Sequence, residues 1–119
     1  MERSKKKREA NGMTDDKLQL WYKKVFELGG GQCAETGRNL TFSNKVCCHL
    51  LPKAKFPYFK FDLRNSILLS WNIHSILDHG SPSQRKALKT WEYISLRRKQ
   101  LLEEVGMTYE EEFWLNMST

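Results

Sequence analysis

At 119 residues and 39% apolar content, the chain is long enough for one compact domain and too short for two. Its 20 Lys and Arg outnumber 14 Asp and Glu, for a formal charge of +6, and no stretch approaches the roughly 18 apolar residues of a membrane span. The basic start MERSKKKREANG leads into no apolar segment, so no secretory signal is expected, and three cysteines without framework spacing set the expectation of a reducing, cytoplasmic setting.

Residues 1–13 lack hydrophobic periodicity and read as a basic flexible arm, with Lys5, Lys6, Lys7 and Arg8 placed to touch nucleic acid loosely. A first helix is predicted from about Asp15 to Leu28. Thr14 would be its N-cap, and Leu18, Trp21, Tyr22 and Val25 recur at helical spacing. Gly29, Gly30 and Gly31 end it. Residues 32–44 are turn-rich, and Lys45–Leu51 is apolar enough for a strand stopped by Pro52.

A loop of lysines and aromatics follows, then a second short strand at Ser66–Leu69 and a short helix over Trp71–His79 closed by Gly80. Ser81, Pro82 and Gln84 carry a capping-box signature opening a long helix, whose buried stripe would include Leu88, Trp91, Ile94, Leu101 and Val105. Gly106 would end that helix. Thr108–Glu111 repeats the capping signal for a last short helix with Phe113, Trp114 and Met117. The predicted organisation is a single domain over residues 14–119, with C-terminal helices over 82–117.

The charge is unevenly spread. Residues 38–99 contain twelve basic and three acidic side chains, whereas residues 101–119 contain five glutamates and no basic residue. A basic middle suits a polyanion, because neutralising phosphates releases their counterions. A solvated basic face without a partner is the competing reading. The acidic end suits a helix N-terminus complementing its dipole.

Residues 47–80, CCHLLPKAKFPYFKFDLRNSILLSWNIHSILDHG, hold the chemistry-bearing side chains. His49 ends the first predicted strand, Asn65 precedes the second, and His74 lies on the helix with Asp78 one turn further. A histidine with an ordinary pKa near ~6.5 can be neutral at pH 7 and accept a proton from water. His74 and Asp78, at i and i+4, share one helix face and can share one cation. Carboxylate favours Mg²⁺ or Mn²⁺, and imidazole widens the choice to Ni²⁺ or Zn²⁺.

The stretches His49-Leu50-Leu51-Pro52-Lys53, Phe56-Pro57-Tyr58 and Phe61-Asp62-Leu63-Arg64-Asn65, with His74 nine residues after Asn65, are arranged as in a known family. The pattern resembles the HNH endonucleases, especially small phage recombination-type members, over residues 33–80. The resemblance implies an α+β chain with a ββα-metal core, its short two-stranded hairpin flanked by an N-terminal helix and C-terminal helices. It implies a metal-dependent DNA endonuclease acting in the cytoplasm, the host's if phage-encoded, with branched or nicked DNA as substrate class. His49 would be the catalytic base, Asn65 would hold the loop that orients it, and His74 and Asp78 would bind the metal.

Two departures from the family pattern stand out. Many members bind a structural zinc through two Cys pairs, whereas here Cys33 is accompanied by Thr36, Ser70 and Ile73, so no structural zinc is expected. Packing against flanking helices, with Trp21 and Trp91, would hold the core instead. The residue before the base is commonly Asp or His in the family; here it is Cys48, read as a small buried thiol with metal ligation as the alternative. Asp78 could equally be a surface carboxylate, and His79 suits the C-terminal end of its helix.

Lys53, Lys55, Lys60 and Arg64 are the candidate DNA-phosphate contacts. Phe56, Tyr58, Phe59 and Phe61 interleave with them, and Phe59 and Phe61 are expected to anchor the loop in the core. Two other functions fit the same sequence: a catalytically inactive nucleic-acid-binding protein of this fold, and a factor acting on a host or phage protein through the acidic end and exposed aromatics.

Overall fold

The computed structural model describes residues 16–108. Thr14, Asp15, the basic arm and the last predicted helix with Phe113, Trp114 and Met117 lie outside the described residues. The described residues form a small α+β arrangement of four helices and one two-stranded antiparallel hairpin. No described helix is long and apolar enough to cross a membrane.

Helix α1 occupies residues 16–28. It buries the expected stripe of Leu18, Trp21, Tyr22 and Val25. Gly30 and Gly31 then adopt φ of 64° and 69°, the left-handed conformation that terminates helices and favours glycine.

Strand β1 spans Cys47–His49 and β2 spans Ser66–Leu68, with Cys47 opposite Leu68, Cys48 opposite Ile67 and His49 opposite Ser66. Both are shorter than the apolar runs suggest, for a local reason at each end. Residues Asn44–Val46 wind into a 3-10 turn whose Ser43 hydroxyl accepts from the Lys45 N–H. Beyond His49, the Leu51 N–H turns to the Asn65 side chain at 2.6 Å.

Period-two alternation gives the hairpin two apolar faces. Cys47 and Leu68 face α1, in a cluster with Leu18, Trp21, Tyr22, Val25 and Val46. Cys48, Leu50, Ile67 and Leu69 face the opposite way and pack with Ile73, Leu77 and Ile94. The hairpin is thus a central layer between α1 and the later helices.

Helix α2 spans Trp71–His79 as expected and stops at Gly80. A Cβ there would sit 2.5 Å from the Ile76 carbonyl oxygen, so only glycine allows that closure. The single long helix expected after it is two helices, α3 over Pro82–Lys86 and α4 over Trp91–Glu104. The Ser81–Gln84 capping box forms as the sequence implies.

The break is made from a distance. The Glu35 carboxylate accepts from Lys89 N at 2.8 Å, Thr90 N at 2.9 Å and the Thr90 hydroxyl at 2.8 Å. It binds the N–H groups of Lys89 and of the N-cap residue Thr90, just ahead of the first turn of α4, and so fixes where that helix starts. Burial alone would raise the Glu35 pKa; the bonds from Lys89 and Thr90 outweigh it and lower the value. Val105, assigned to the buried stripe by its spacing, is exposed just beyond the end of α4, and Gly106 (φ 74°) follows.

The connection between the strands packs on α4. Leu51, Phe56 and Phe59 form a third cluster with Leu101 and Leu102. Phe59 anchors the loop as anticipated, but Phe61 is 42% exposed, because the 3-10 turn at Pro57–Phe59 rotates the following residues outward. Buried Arg98 of α4 donates from Nε to the Leu50 carbonyl at 2.8 Å, tying the helix to the residue after His49.

Candidate functional site

The hairpin and α2 bring His49, His74 and Asp78 to one cavity of about 400 Å³, which Tyr22, Cys47, Lys53, His79 and Arg98 also line. Cys47 and His49 belong to the α1 face of the hairpin and His74 and Asp78 to the helix on the other face. The cavity therefore opens across the free edge of β1, since β2 occupies the other edge.

His49 is held on two sides. Its ring lies parallel to the Trp21 indole, with centroids 3.9 Å apart and planes 5° from coplanar. Its Nε2 is 2.9 Å from the Lys60 carbonyl oxygen. A carbonyl can only accept, so Nε2 carries the proton and Nδ1 has the lone pair in the neutral ring. Burial is the main cause lowering the His49 pKa, the Lys60 carbonyl opposes it, and the charges of Lys53, Lys60 and His74 add to it, leaving about 4. The imidazole is neutral at pH 7.

Asn65 is fully buried and holds the loop that supplies the Lys60 carbonyl. Its Oδ1 accepts from Leu51 N, and its Nδ2 donates to Leu51 O at 3.1 Å and Phe59 O at 3.2 Å. One amide therefore fixes both arms of the connection, the residue beyond Leu50 and the residue before Lys60. Trp21 adds a further tether, donating from Nε1 to the Asp62 carbonyl at 3.1 Å.

His74 has its Nδ1–H on the Lys45 carbonyl, which turns Nε2 toward Asp78 Oδ2 at 2.8 Å. Burial would lower the His74 pKa; the Asp78 carboxylate, Cys48 and the Lys45 carbonyl outweigh it and push it up to about 11. A proton therefore bridges ring and carboxylate. Two donors on neighbouring positions of an octahedral cation at ~2.1 Å each are about 3 Å apart, so the separation of the pair is compatible with one hard divalent ion, which would lie off the line the proton occupies and require the ring to turn. Among the described residues no group of three or more His, Cys, Asp or Glu converges on one point.

Cys48 is fully buried in the α2-facing cluster. Burial is the chief cause raising its pKa, although its hydrogen bond with His74 works against that, and the thiol stays protonated. It supports His74 from below rather than lining the cavity. Cys47 does line the cavity, with its Sγ–H on the Tyr22 carbonyl at 3.3 Å and its pKa raised to about 11 by burial and then by Cys48.

The four positions around Cys33 cohere without a second sulfur. Ser70 N donates to Cys33 Sγ at 3.3 Å, the Cys33 thiol lies 3.7 Å from the Ser70 hydroxyl, and Ile73 packs in the same cluster. Burial would raise the Cys33 pKa; hydrogen bonds with Thr36 and Ser70 reverse this and bring it to about 7.

The candidate cations divide. Lys53 lines the cavity, with Nζ 3.5 Å from the Tyr22 hydroxyl. Lys60 contributes its carbonyl to His49 while its ammonium lies over the exposed Phe61 ring at 5.3 Å. Lys55 is exposed on the same connection. Arg64 faces a different cleft and is committed to carboxylates, 2.7 Å from Asp62 and 2.6 Å from Glu104. The sequence could not show the Glu104 pairing, forty residues away.

Two residues of the site escaped the sequence reading. Trp21 was assigned to the core, yet its face covers the His49 ring. Arg98 was one charge among twelve; its position in the α4 stripe, four residues after Ile94 and three before Leu101, was the available signal. Comparison with known proteins finds no matching family model, no matching curated sequence and no matching solved structure.

Proposed function

We propose that the chain is a metal-dependent DNA endonuclease of the HNH type, its hairpin and α2 forming a ββα-metal core. The observation that carries the reading is a neutral His49, its proton fixed on Nε2 by Lys60, lining the same cavity as the His74–Asp78 pair. In this reading Nδ1 of His49 takes a proton from water as the water oxygen bonds to phosphorus and the P–O3′ bond breaks. His74 and Asp78 would hold a divalent ion, Mg²⁺ or Mn²⁺ first among the candidates, which would supply positive charge, and a proton from its bound water, for the departing 3′-oxygen.

A base with a pKa near 4 is weak in the free protein. Burial holds the value down most; an anionic phosphate in the cavity would offset only the smaller part that comes from the charges of Lys53, Lys60 and His74, and so would move the value back toward its ordinary range. Lys53 is the nearest candidate for direct phosphate contact, with Lys55 and Lys60 guiding the strand and Asn65 acting as a positioning residue. Branched or nicked DNA remains the substrate class that the resemblance suggests.

One observation favours a second reading, a nucleic-acid-binding domain without catalysis: among the described residues two donors, not three, meet at the candidate metal position. Conversion of supercoiled plasmid to nicked circles separates the two. Nicking that requires Mg²⁺ or Mn²⁺ and is abolished by EDTA and by His49→Ala supports the nuclease. Salt-sensitive DNA binding without nicking in Mg²⁺, Mn²⁺, Ni²⁺ or Zn²⁺ overturns it.

A further inference from the structure

A second cleft adjoins the candidate site on its other side. It measures about 200 Å³ and is lined by Lys45, Trp71, His74, Ser75, Asp78 and His79. His74, Asp78 and His79 line both cavities, so the ion-holding pair forms the ridge between them. Trp71, His74, Ser75 and Asp78 follow one another at helical spacing along a single face of α2.

The floor of this cleft is unusual for a protein surface. Trp71 is 62% exposed, although an indole this large normally gains stability by burial. Lys45 stands beside it, its backbone fixed because its carbonyl receives the His74 Nδ1–H. An aromatic face flanked by an ammonium group, next to a position for hydrolysing phosphodiesters, matches one nucleotide: a flat base for the indole and a phosphate for the lysine.

We propose that this cleft is a nucleobase subsite, in which the base adjoining the scissile phosphate stacks on Trp71 while Lys45 contacts the neighbouring backbone phosphate. Its placing next to the scissile phosphate rests on the nuclease reading of His49, His74 and Asp78. The consequence is a preference for DNA with an unstacked base near the cut, because a base within an intact duplex stack cannot reach the indole. Selectivity of this kind depends on base accessibility, not on hydrogen-bonded readout of base identity.

The test uses the full chain carrying His49→Ala, so that DNA is bound and not consumed. Binding is measured in EDTA by fluorescence anisotropy with a short single-stranded DNA and with the same backbone lacking its bases. Adding Trp71→Ala weakens binding of the intact strand about 5- to 100-fold, leaves the base-free strand unaffected, and is largely rescued by Trp71→Phe. Lys45→Ala weakens both strands alike and flattens the salt dependence by about one phosphate.

Equal effects of Trp71→Ala on the two strands, or none on either, overturn the subsite. The side chain is exposed, so the variant keeps its fold, and an unchanged unfolding midpoint verifies that. Plasmid nicking by the unsubstituted protein reports separately on the nuclease reading. Nicking with a base-insensitive Trp71 removes the subsite alone, whereas base-dependent binding without nicking supports the subsite and removes catalysis.

Discussion

The His49 imidazole lies flat against the Trp21 indole at 3.9 Å, so a residue of the first helix forms one wall of the candidate base. With Nε2 fixed on the Lys60 carbonyl, the ring has neither rotational freedom nor a choice of tautomer. His49→Ala is expected to lower plasmid nicking by about 10²- to 10⁴-fold, the range for loss of general base catalysis, with DNA binding retained. Trp21→Leu stays apolar but removes both the flat support and the Nε1–H tether to the Asp62 carbonyl, so it should lower kcat more than it raises KM. Equal nicking by wild type and His49→Ala would remove His49 from the chemistry.

The Asn65 amide is expected to be hard to replace. Asn65→Asp keeps an oxygen for the Leu51 N–H but loses both donors, leaving the Leu51 and Phe59 carbonyls without this partner. The cost should be on the order of 2–4 kcal/mol, measured as a shift in urea midpoint at constant slope. Nicking should fall even at temperatures where the variant is fully folded, because the Lys60 carbonyl is no longer held against His49.

Acid and alkali should destabilise the metal-free protein through different histidines. The His49 pKa is about 4 in the folded chain and near ~6.5 when unfolded, so the unfolded state binds more protons between these values. Stability is expected to fall by on the order of 2 kcal/mol as pH drops through that window. His74 has the opposite sign: its folded value is raised to about 11, so its contribution is full below ~6.5 and is lost as pH rises through 11. Urea titrations across this range should show a flatter acid limb in His49→Gln and a flatter alkaline limb in His74→Gln.

The same proton sets the metal response. A divalent ion on His74 and Asp78 must displace the proton from Nε2, so apparent Mn²⁺ affinity should rise with pH between about 6 and 9. Calorimetry in two buffers of different ionisation enthalpy would register the proton release. Asp78→Asn should remove both Mn²⁺ binding and the pH dependence, and unchanged binding in that variant would place the ion elsewhere.

Glu35 is expected to behave as a helix cap. Glu35→Ala removes acceptors from Lys89 N, Thr90 N and the Thr90 hydroxyl, at a cost of about 1–2 kcal/mol by denaturant unfolding. Its lowered pKa places that stability above the carboxylate range of the unfolded chain, to be lost as pH falls through the folded value. The titration of Glu35→Gln should lack this component.

Local signals and distant ones explain how far the sequence could be read. The α1 stripe, the extent of α2 with its Gly80 stop and the Ser81 capping box are short-range features, and each is visible in neighbouring residues. The grouping of His49, His74 and Asp78 was accessible through the family resemblance that the order and spacing of His49, Asn65 and His74 carry. The break before α4 was not, because its cause is a carboxylate 55 positions upstream of Thr90. Arg64 looked available for phosphate until Glu104 came into contact with it. Phe61 looked like a core anchor because loop aromatics usually pack inward, and nothing in the neighbouring residues separates Phe61 from Phe59, which does so.

Helix α4 begins on the Glu35 carboxylate and ends against Leu51, Phe56 and Phe59, with Arg98 holding the Leu50 carbonyl in between. During synthesis, the ribosome therefore releases His49, Asn65, His74 and Asp78 well before the helix that steadies them exists. A nascent chain carries the reactive groups without their geometry, and the site matures only when the segment from Thr90 to Leu102 has docked. Synthesis through Leu102 therefore sets the earliest moment at which the candidate site can assemble.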